Sequence, residues 1–295
     1  MSVLVKGSGG VEKVTIDGVK VNKKLNLISM SRDVVMSPIP YDFFNGDVVV
    51  LNGEIHILGT SHTSYYKNHY KWNGYEWISV STLPDGFYEG CAVVLNGELH
   101  ILGGKKTSTN HYKWNGSEWI SVSTLPYIMD SGGSAVVLNG EIHILGGVSY
   151  RTKHYKWNGS EWTSVSTLPY DFYSGDAVVL DGEIHILGTG SFDKTSHYKW
   201  NGSEWVSVST LPYDFEYGSA VILDGELHIL GGLDNETSHY KWNGSSWVSV
   251  STLPYSFIKS CAVSYAGGIY VLGSNADNYR KAYYGVQLKI YAEEV

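Results

Sequence analysis

The sequence predicts an all-β ring of six four-stranded antiparallel blades, a β-propeller. Three observations carry this reading. SVSTLP recurs five times, ending at Pro84, Pro126, Pro169, Pro212 and Pro254, with 42 or 43 residues between equivalent prolines. HYKWNG also recurs five times, around Trp72, Trp114, Trp157, Trp200 and Trp242. A segment of the type AVVLNGEIHILG precedes every HYKWNG. A fixed period of this length marks a repeat architecture, because one unit cannot bury its apolar face alone and must stack on neighbours.

Within a unit, two Asn-Gly or Asp-Gly pairs each sit between β-type runs, the strongest short hairpin signal. DAVVL and EIHILG flank the first pair, while SHYKW and EWVSV flank the second. The order strand, turn, strand, loop, strand, turn, strand makes one blade. A divergent sixth unit begins at Tyr255 and keeps CAVSYAGGIYVLGS; a segment ending at Pro40 opens the first. The predicted organisation is an N-terminal arm over 1–32 and a propeller over 33–295. Two segments compete to close the ring. Asp33 to Pro40 leads into YDFFNG as a fourth strand would, and the tail LKIYAEE aligns Ile290 and Ala292 with Val248 and Val250. The match of the following loop favours Asp33 to Ser37 as the outer strand of the sixth blade.

Composition bounds the function. The chain has 295 residues, 43% of them hydrophobic, with 23 Tyr and 10 Trp against 7 Phe. Its 34 Gly suit many tight turns, and the apolar fraction excludes a disordered chain. A formal charge of -8 argues against nucleic acid or anionic lipid as partner, since phosphates need a basic footprint. No apolar run is long enough for a transmembrane helix, so no membrane insertion is expected. The start MSVLVKGSGG lacks the apolar stretch of a secretory signal. The arm is different: residues 1–37 hold six Lys or Arg against three acids, a net +3. VTIDGVKV reads as a small hairpin around Asp17-Gly18, and an isolated hairpin needs something to pack on. That suits attachment to other subunits of an assembly, or to another copy in a homo-oligomer.

The double glycines Gly103-Gly104, Gly146-Gly147 and Gly231-Gly232, the NG turns, the Trp before each new blade and Tyr270 resemble the kelch repeat. The likeness covers about 255 residues. The first five units depart from it by placing His where the kelch tyrosine sits. The resemblance implies the propeller and leaves function open, because this fold hosts enzymes, adaptors and binders. The near-identical HYKWNGSEW units also resemble propellers of Firmicutes phages and prophages, and VLVKGSGG resembles openings of phage tail-associated proteins. That second likeness implies a virion or tail component; without it, the missing signal segment implies the cytoplasm.

No catalytic constellation is evident, and no cofactor is expected. Ten of eleven histidines are periodic: His56, His100, His143, His185 and His228, with His69, His111, His154, His197 and His239. Equivalent residues in separate blades cannot converge on one ion, so no metal site is predicted and structural hydrogen bonding is the better reading. Cys91 and Cys261 share one repeat position, filled elsewhere by Asp47, Asp176 and Ser219, and are expected to be free thiols. The HExxH helix, phosphate-cradling Gly loop and SxDxGxxW box are absent.

Strand alternation puts the constant NG turns on one face, and the second-to-third-strand and blade-to-blade loops on the other. The latter vary between otherwise near-identical units. After each proline, the first and third residues are almost always aromatic and read as packing plugs. The fourth and fifth vary, and supply the candidates Phe44, Tyr88, Glu89, Asp130, Tyr173, Glu216 and Tyr217. The second-to-third-strand loops add Tyr65, Tyr66, Tyr150, Arg151, Phe192 and Tyr279. Aromatic faces suit sugar rings and carboxylates accept hydroxyl protons, so a glycan or a protein loop would fit this rim. The expected function is non-catalytic recognition, in a phage or prophage tail contacting a host-surface glycan or protein. The alternatives are a carbohydrate-active enzyme resembling kelch-type sugar epimerases, and an intracellular adaptor that binds a peptide.

Overall fold

The computed structural model describes residues 2–7, 10–15, 25–31, 36–41, 43–60, 66–104, 108–129, 132–188, 194–253, 256–273 and 286–294. Three strands precede the repeats: β1 (Ser2–Gly7), β2 (Gly10–Thr15) and β3 (Leu25–Ser31). The first blade is β4 (Asp47–Leu51), β5 (Glu54–Leu58), β6 (Asn68–Trp72) and β7 (Trp77–Thr82). The second is β8 (Cys91–Leu95), β9 (Glu98–Leu102), β10 (Asn110–Trp114) and β11 (Trp119–Thr124). The third is β12 (Ser134–Leu138), β13 (Glu141–Leu145), β14 (Lys153–Trp157) and β15 (Trp162–Thr167). The fourth is β16 (Asp176–Leu180), β17 (Glu183–Leu187), β18 (Ser196–Trp200) and β19 (Trp205–Thr210). The fifth is β20 (Ser219–Leu223), β21 (Glu226–Leu230), β22 (Ser238–Trp242) and β23 (Trp247–Thr252). Then come β24 (Cys261–Tyr265), β25 (Gly268–Leu272) and β26 (Val286–Glu294).

The expectation of six blades is corrected here: the repeats build five, each from four consecutive antiparallel strands. The remaining place in the ring is held by a composite sheet of order β24-β25-β26-β3. The divergent unit keeps only its first hairpin and lacks both HYKWNG and SVSTLP, so its outer half comes from elsewhere. The C-terminal strand pairs as third strand and Leu25–Ser31 as fourth. Asp33 to Ser37 is therefore not the outer strand: residues 33–35 lie outside the described residues, and Met36 and Ser37 are not in a strand. The N-terminal arm forms a two-stranded sheet. β1 and β2 pair from Ser2 with Thr15 to Gly7 with Gly10, and Asp17-Gly18 lies outside the described residues.

Inside a blade the turns follow from the sequence. Asn52 and Gly53 both take positive φ, 51° and 75°, as a two-residue primed hairpin requires. In the outer hairpin, Asn73 Oδ1 accepts the amides of Tyr75 and Glu76 at 2.8 and 2.9 Å, and Gly74 has φ 99°. The same Asn cap recurs at Asn115, Asn158, Asn201 and Asn243. A β-bulge breaks the register between third and fourth strands in every blade. It skips Val80 and sets Ser81 opposite His69.

That bulge assembles the joint. His56 Nδ1 lies 2.8 Å from His69 Nε2, and His69 Nδ1 lies 2.8 Å from Ser81 Oγ. Trp119 of the next blade donates its indole N–H to the same Ser81 oxygen at 2.9 Å. His69 also meets Trp114 edge-on, ring centroids 5.7 Å apart. The relay repeats through Ser123 to Trp162, Ser166 to Trp205 and Ser209 to Trp247. The composite sheet supplies no tryptophan, and at its joint with the first blade Trp77 donates to the Ser37 carbonyl instead, at 3.1 Å. An apolar core fills each space between neighbouring sheets, as Leu51, Leu58, Phe87, Ile101 and Trp114 do between the first two blades.

Ser123→Ala leaves the Trp162 indole and His111 without their shared partner. It should cost about 1–3 kcal/mol in chemical denaturation, the range for an orphaned buried polar group. Deleting residues 1–31 removes the outer strand of the composite sheet and should lower the melting temperature by several degrees; an unchanged melting curve would show that the ring closes without it.

Candidate ligand-binding face

The varied loops interlock. Phe87 N–H donates to the Tyr66 carbonyl at 2.7 Å, and Thr60 N–H donates to the Phe87 carbonyl at 3.1 Å. Equivalent bonds join Phe172 to Arg151, Phe215 to Lys194 and Phe257 to Glu236. Second-to-third-strand loops and blade-to-blade loops thus form one continuous surface. Phe43, Phe87, Met129, Phe172, Phe215 and Phe257 are buried beneath it, so the third residue after each proline is a plug as expected. Tyr41, Tyr170 and Tyr213 each donate a hydroxyl to a glycine carbonyl below, at 3.0 to 3.3 Å.

At the axis this surface opens into a funnel of about 280 Å³. Its mouth is ringed by Asn45, Glu89, Gly132, Ser174, Tyr217 and Lys259. All six take positive φ, between 52° and 79°. The conformation turns each amide toward the preceding sheet: Glu89 donates to Asn45, Ser174 to Gly132, Tyr217 to Ser174 and Lys259 to Tyr217, at 2.7 to 2.9 Å. The fifth position after the proline is therefore a backbone belt as well as a variable side chain. Gly132 belongs to the belt in place of Ser131, because the third loop is one residue longer.

One step deeper lies a second ring, at the position shared by the cysteines, and it latches every joint. Asp47 Oδ1 accepts the amide of Val48 at 2.7 Å and Oδ2 that of Ala92 at 2.6 Å. Cys91 donates to the Gly133 carbonyl at 3.2 Å, and Ser134 to Asp176 at 3.3 Å. Asp176 accepts Ala177 and Ala220, both at 2.8 Å. Ser219 accepts Ala262 at 2.9 Å, and Cys261 donates to the Gly46 carbonyl at 3.3 Å. Both cysteines are free, and burial pushes their thiols up, so they are uncharged. Burial also lifts Asp47 to about 7 and Asp176 to about 6, against the pull of the amides they accept. Below this ring the channel turns apolar, lined by Val50, Val93, Val136, Val178, Val221 and Val263.

The structure separates the sequence candidates. Glu89 and Tyr217 stand on the funnel mouth, and Phe44, Tyr88, Tyr173 and Glu216 are half-buried immediately beside it. Several carry their own cations. Lys259 Nζ sits 4.5 Å from the Tyr217 ring centre and 5.6 Å from that of Phe44. Arg151 covers Tyr173 at 4.6 Å while pairing with Asp171 at 3.2 Å, and Lys194 pairs with Glu216 at 2.8 Å. Tyr66 packs over Gly86, and Tyr150 lies 5.1 Å from Tyr127, ring centre to ring centre. Tyr65, Asp130, Phe192 and Tyr279 lie outside the described residues. Asp47 and Asp176 were not singled out for binding; the signal was present in the alternation of Asp, Cys and Ser at one repeat position.

Among the described residues no group of three His, Cys, Asp or Glu could hold a metal ion. The ten periodic histidines are tied up in these pairs at the joints. Their burial lowers the outer member of each pair to about 3 and the inner to about 4.

No family model matches the chain. No curated protein matches it either. Among 444 matching solved chains is one titled "Structure of YjhT", with a TM-score of 0.71 over 88% of this chain and 96% of that one. At 15% identity that likeness shows the β-propeller fold and no more.

The histidine network sets a pH dependence. Its folded values lie below the ordinary 6.5, so its stabilisation is complete above that pH and is lost as pH falls toward 4 and 3. Asp47 and Asp176 act oppositely, with folded values above 3.8, but two groups cannot offset ten. The melting temperature should hold from pH 8 to 6.5 and fall steeply below 6; a flat profile down to pH 4 would contradict the buried relay.

Proposed function

We propose that this chain is a non-catalytic recognition module built on a kelch-type propeller, which binds a glycan or a protein loop through the varied loop face. One observation carries the reading: two faces of a near-symmetric ring differ in kind. The NG turns of one face repeat almost unchanged, the outer one of each blade capped by its own Asn. The opposite loops vary in length and chemistry although they perform the same structural task. Binding residues concentrate on loops held by a rigid scaffold. The phage-type resemblance of the repeat, and the hairpin of β1 and β2 ahead of the ring, support a tail-assembly setting with the arm as attachment. A net charge of -8 disfavours polyanionic ligands.

The carbohydrate-active alternative has one feature in its favour, the two carboxyls whose pKa values burial raises in the funnel. Their oxygens already serve as acceptors for the joint amides, which supports a structural role. In a glycan-array and surface-binding assay, alanine at Tyr88 and Tyr173 should weaken binding by about 2 kcal/mol where either ring anchors the ligand, with little change in melting temperature. Alanine at Trp114 or Trp200 should lower the melting temperature. Binding that survives both tyrosine substitutions, with loss on changing the turn face, would put the site on the wrong side of the ring.

A further inference from the structure

In the repeats, a third strand pairs with both neighbours over the same residues: His69 to Trp72 of β6 face β5, and Asn68 to Trp72 face β7. The composite sheet departs from this. β26 pairs with β25 from Val286 to Leu288, and with β3 from Lys289 to Glu294. Leu288 stands opposite Ile269 as Trp72 stands opposite Ile55, so it marks the level at which Asn-Gly turns reverse the other outer hairpins. Beyond it β26 runs on through Glu294 with β3 beside it. At about 3.3 Å per residue, this two-stranded ribbon extends about 20 Å past the turn face.

A ribbon of two strands is marginal in water, and three or more are needed for independent stability. An open edge presents unpaired N–H and C=O groups, a template for another strand. β3 also contacts β23 of the fifth blade, so the edge left to fill is that of β26 over Lys289–Glu294. The chain holds an element of matching kind. β1 and β2 are 6 residues each, the length of that edge, and among the described strands they pair only with each other. They carry Lys6 and Lys13 against Glu12, while the edge carries Glu293 and Glu294 against Lys289, so the charges are complementary. In their own chain, β1 and β2 leave that edge open. We propose that the β1–β2 pair of a second copy docks there by strand addition, completing a four-stranded sheet, and that the exchange is reciprocal across a two-fold axis. This rests on the reading of the arm as the attachment segment. It joins two copies at their turn faces and leaves both loop faces free to bind.

The test weighs the full chain in solution by size exclusion with light scattering. It should be a dimer of the 32.6 kDa chain. Deleting residues 1–24, which spares β3, should give a monomer that still melts cooperatively. Charge reversal separates docking from folding. Lys6→Glu with Lys13→Glu in one variant, and Glu293→Lys with Glu294→Lys in another, should each weaken the dimer about tenfold, since like charges then face each other across the joint. Mixing the two variants should restore the dimer, because both joints of the mixed pair again set basic against acidic. A monomeric full chain overturns the proposal. So does a dimer that survives deletion of residues 1–24, or a mixture that does not recover. If Tyr88→Ala still weakens glycan-array binding in any of these cases, the loop-face reading stands without the docking.

Discussion

A single serine hydroxyl, claimed from two sides, holds one blade to the next. Ser81 faces a histidine of its own sheet and accepts the indole N–H of the following one, and the same arrangement returns at Ser123, Ser166 and Ser209. A Trp indole can only donate and the neutral imidazole has one donor and one acceptor. A chain running Trp to Ser to His to His therefore uses every hydrogen in one direction. In that polarity the outer imidazole is neutral and accepts at Nδ1, which agrees with the low pKa that burial gives it. The bulge in the fourth strand, the paired histidines and the second tryptophan of each repeat are parts of this one contact.

Two further belts at the axis add to it. The outer one is backbone, drawn through residues of positive φ; the inner one is made of short side chains that reach the next sheet. The inner belt tolerates Asp, Cys and Ser because each can bond to a peptide group across the joint. What it requires is a short polar side chain, not a particular one. This is why the position looks variable in sequence and is still structural, and why the carboxyls of Asp47 and Asp176 are poor evidence for chemistry by themselves.

Much of the fold was legible because the repeat is nearly identical and its turns are written in Asn-Gly pairs. The plugs, the two faces and the structural role of the histidines could be read from periodicity alone. The closing sheet could not. Leu25–Ser31 carries none of the repeat's words, and strand pairing between segments some 260 residues apart leaves no local pattern. The funnel was half legible: the fifth position after each proline stood out by variation, Glu89 and Tyr217 among it, while the backbone belt that the same position forms came only with the fold. The cations over Tyr173, Phe44 and Tyr217 come from loops whose relative placement only the fold supplies.

The composite sheet also settles a matter of counting. Blades this alike carry no information about how many should stand in a ring, since each one's leading edge fits any other's trailing edge. The odd sheet breaks that equivalence at both of its borders. It offers no tryptophan to the fifth blade, and it meets the first through Trp77 on Ser37 and Cys261 on Gly46. Repeats can be gained or lost by duplication within the near-identical stretch, and each such event alters the curvature the ring must absorb. The clasp alone is unique, so it fixes where the series begins and ends while the blades remain interchangeable. A surface that varies from blade to blade can then be re-dealt by recombination without redesigning the lock.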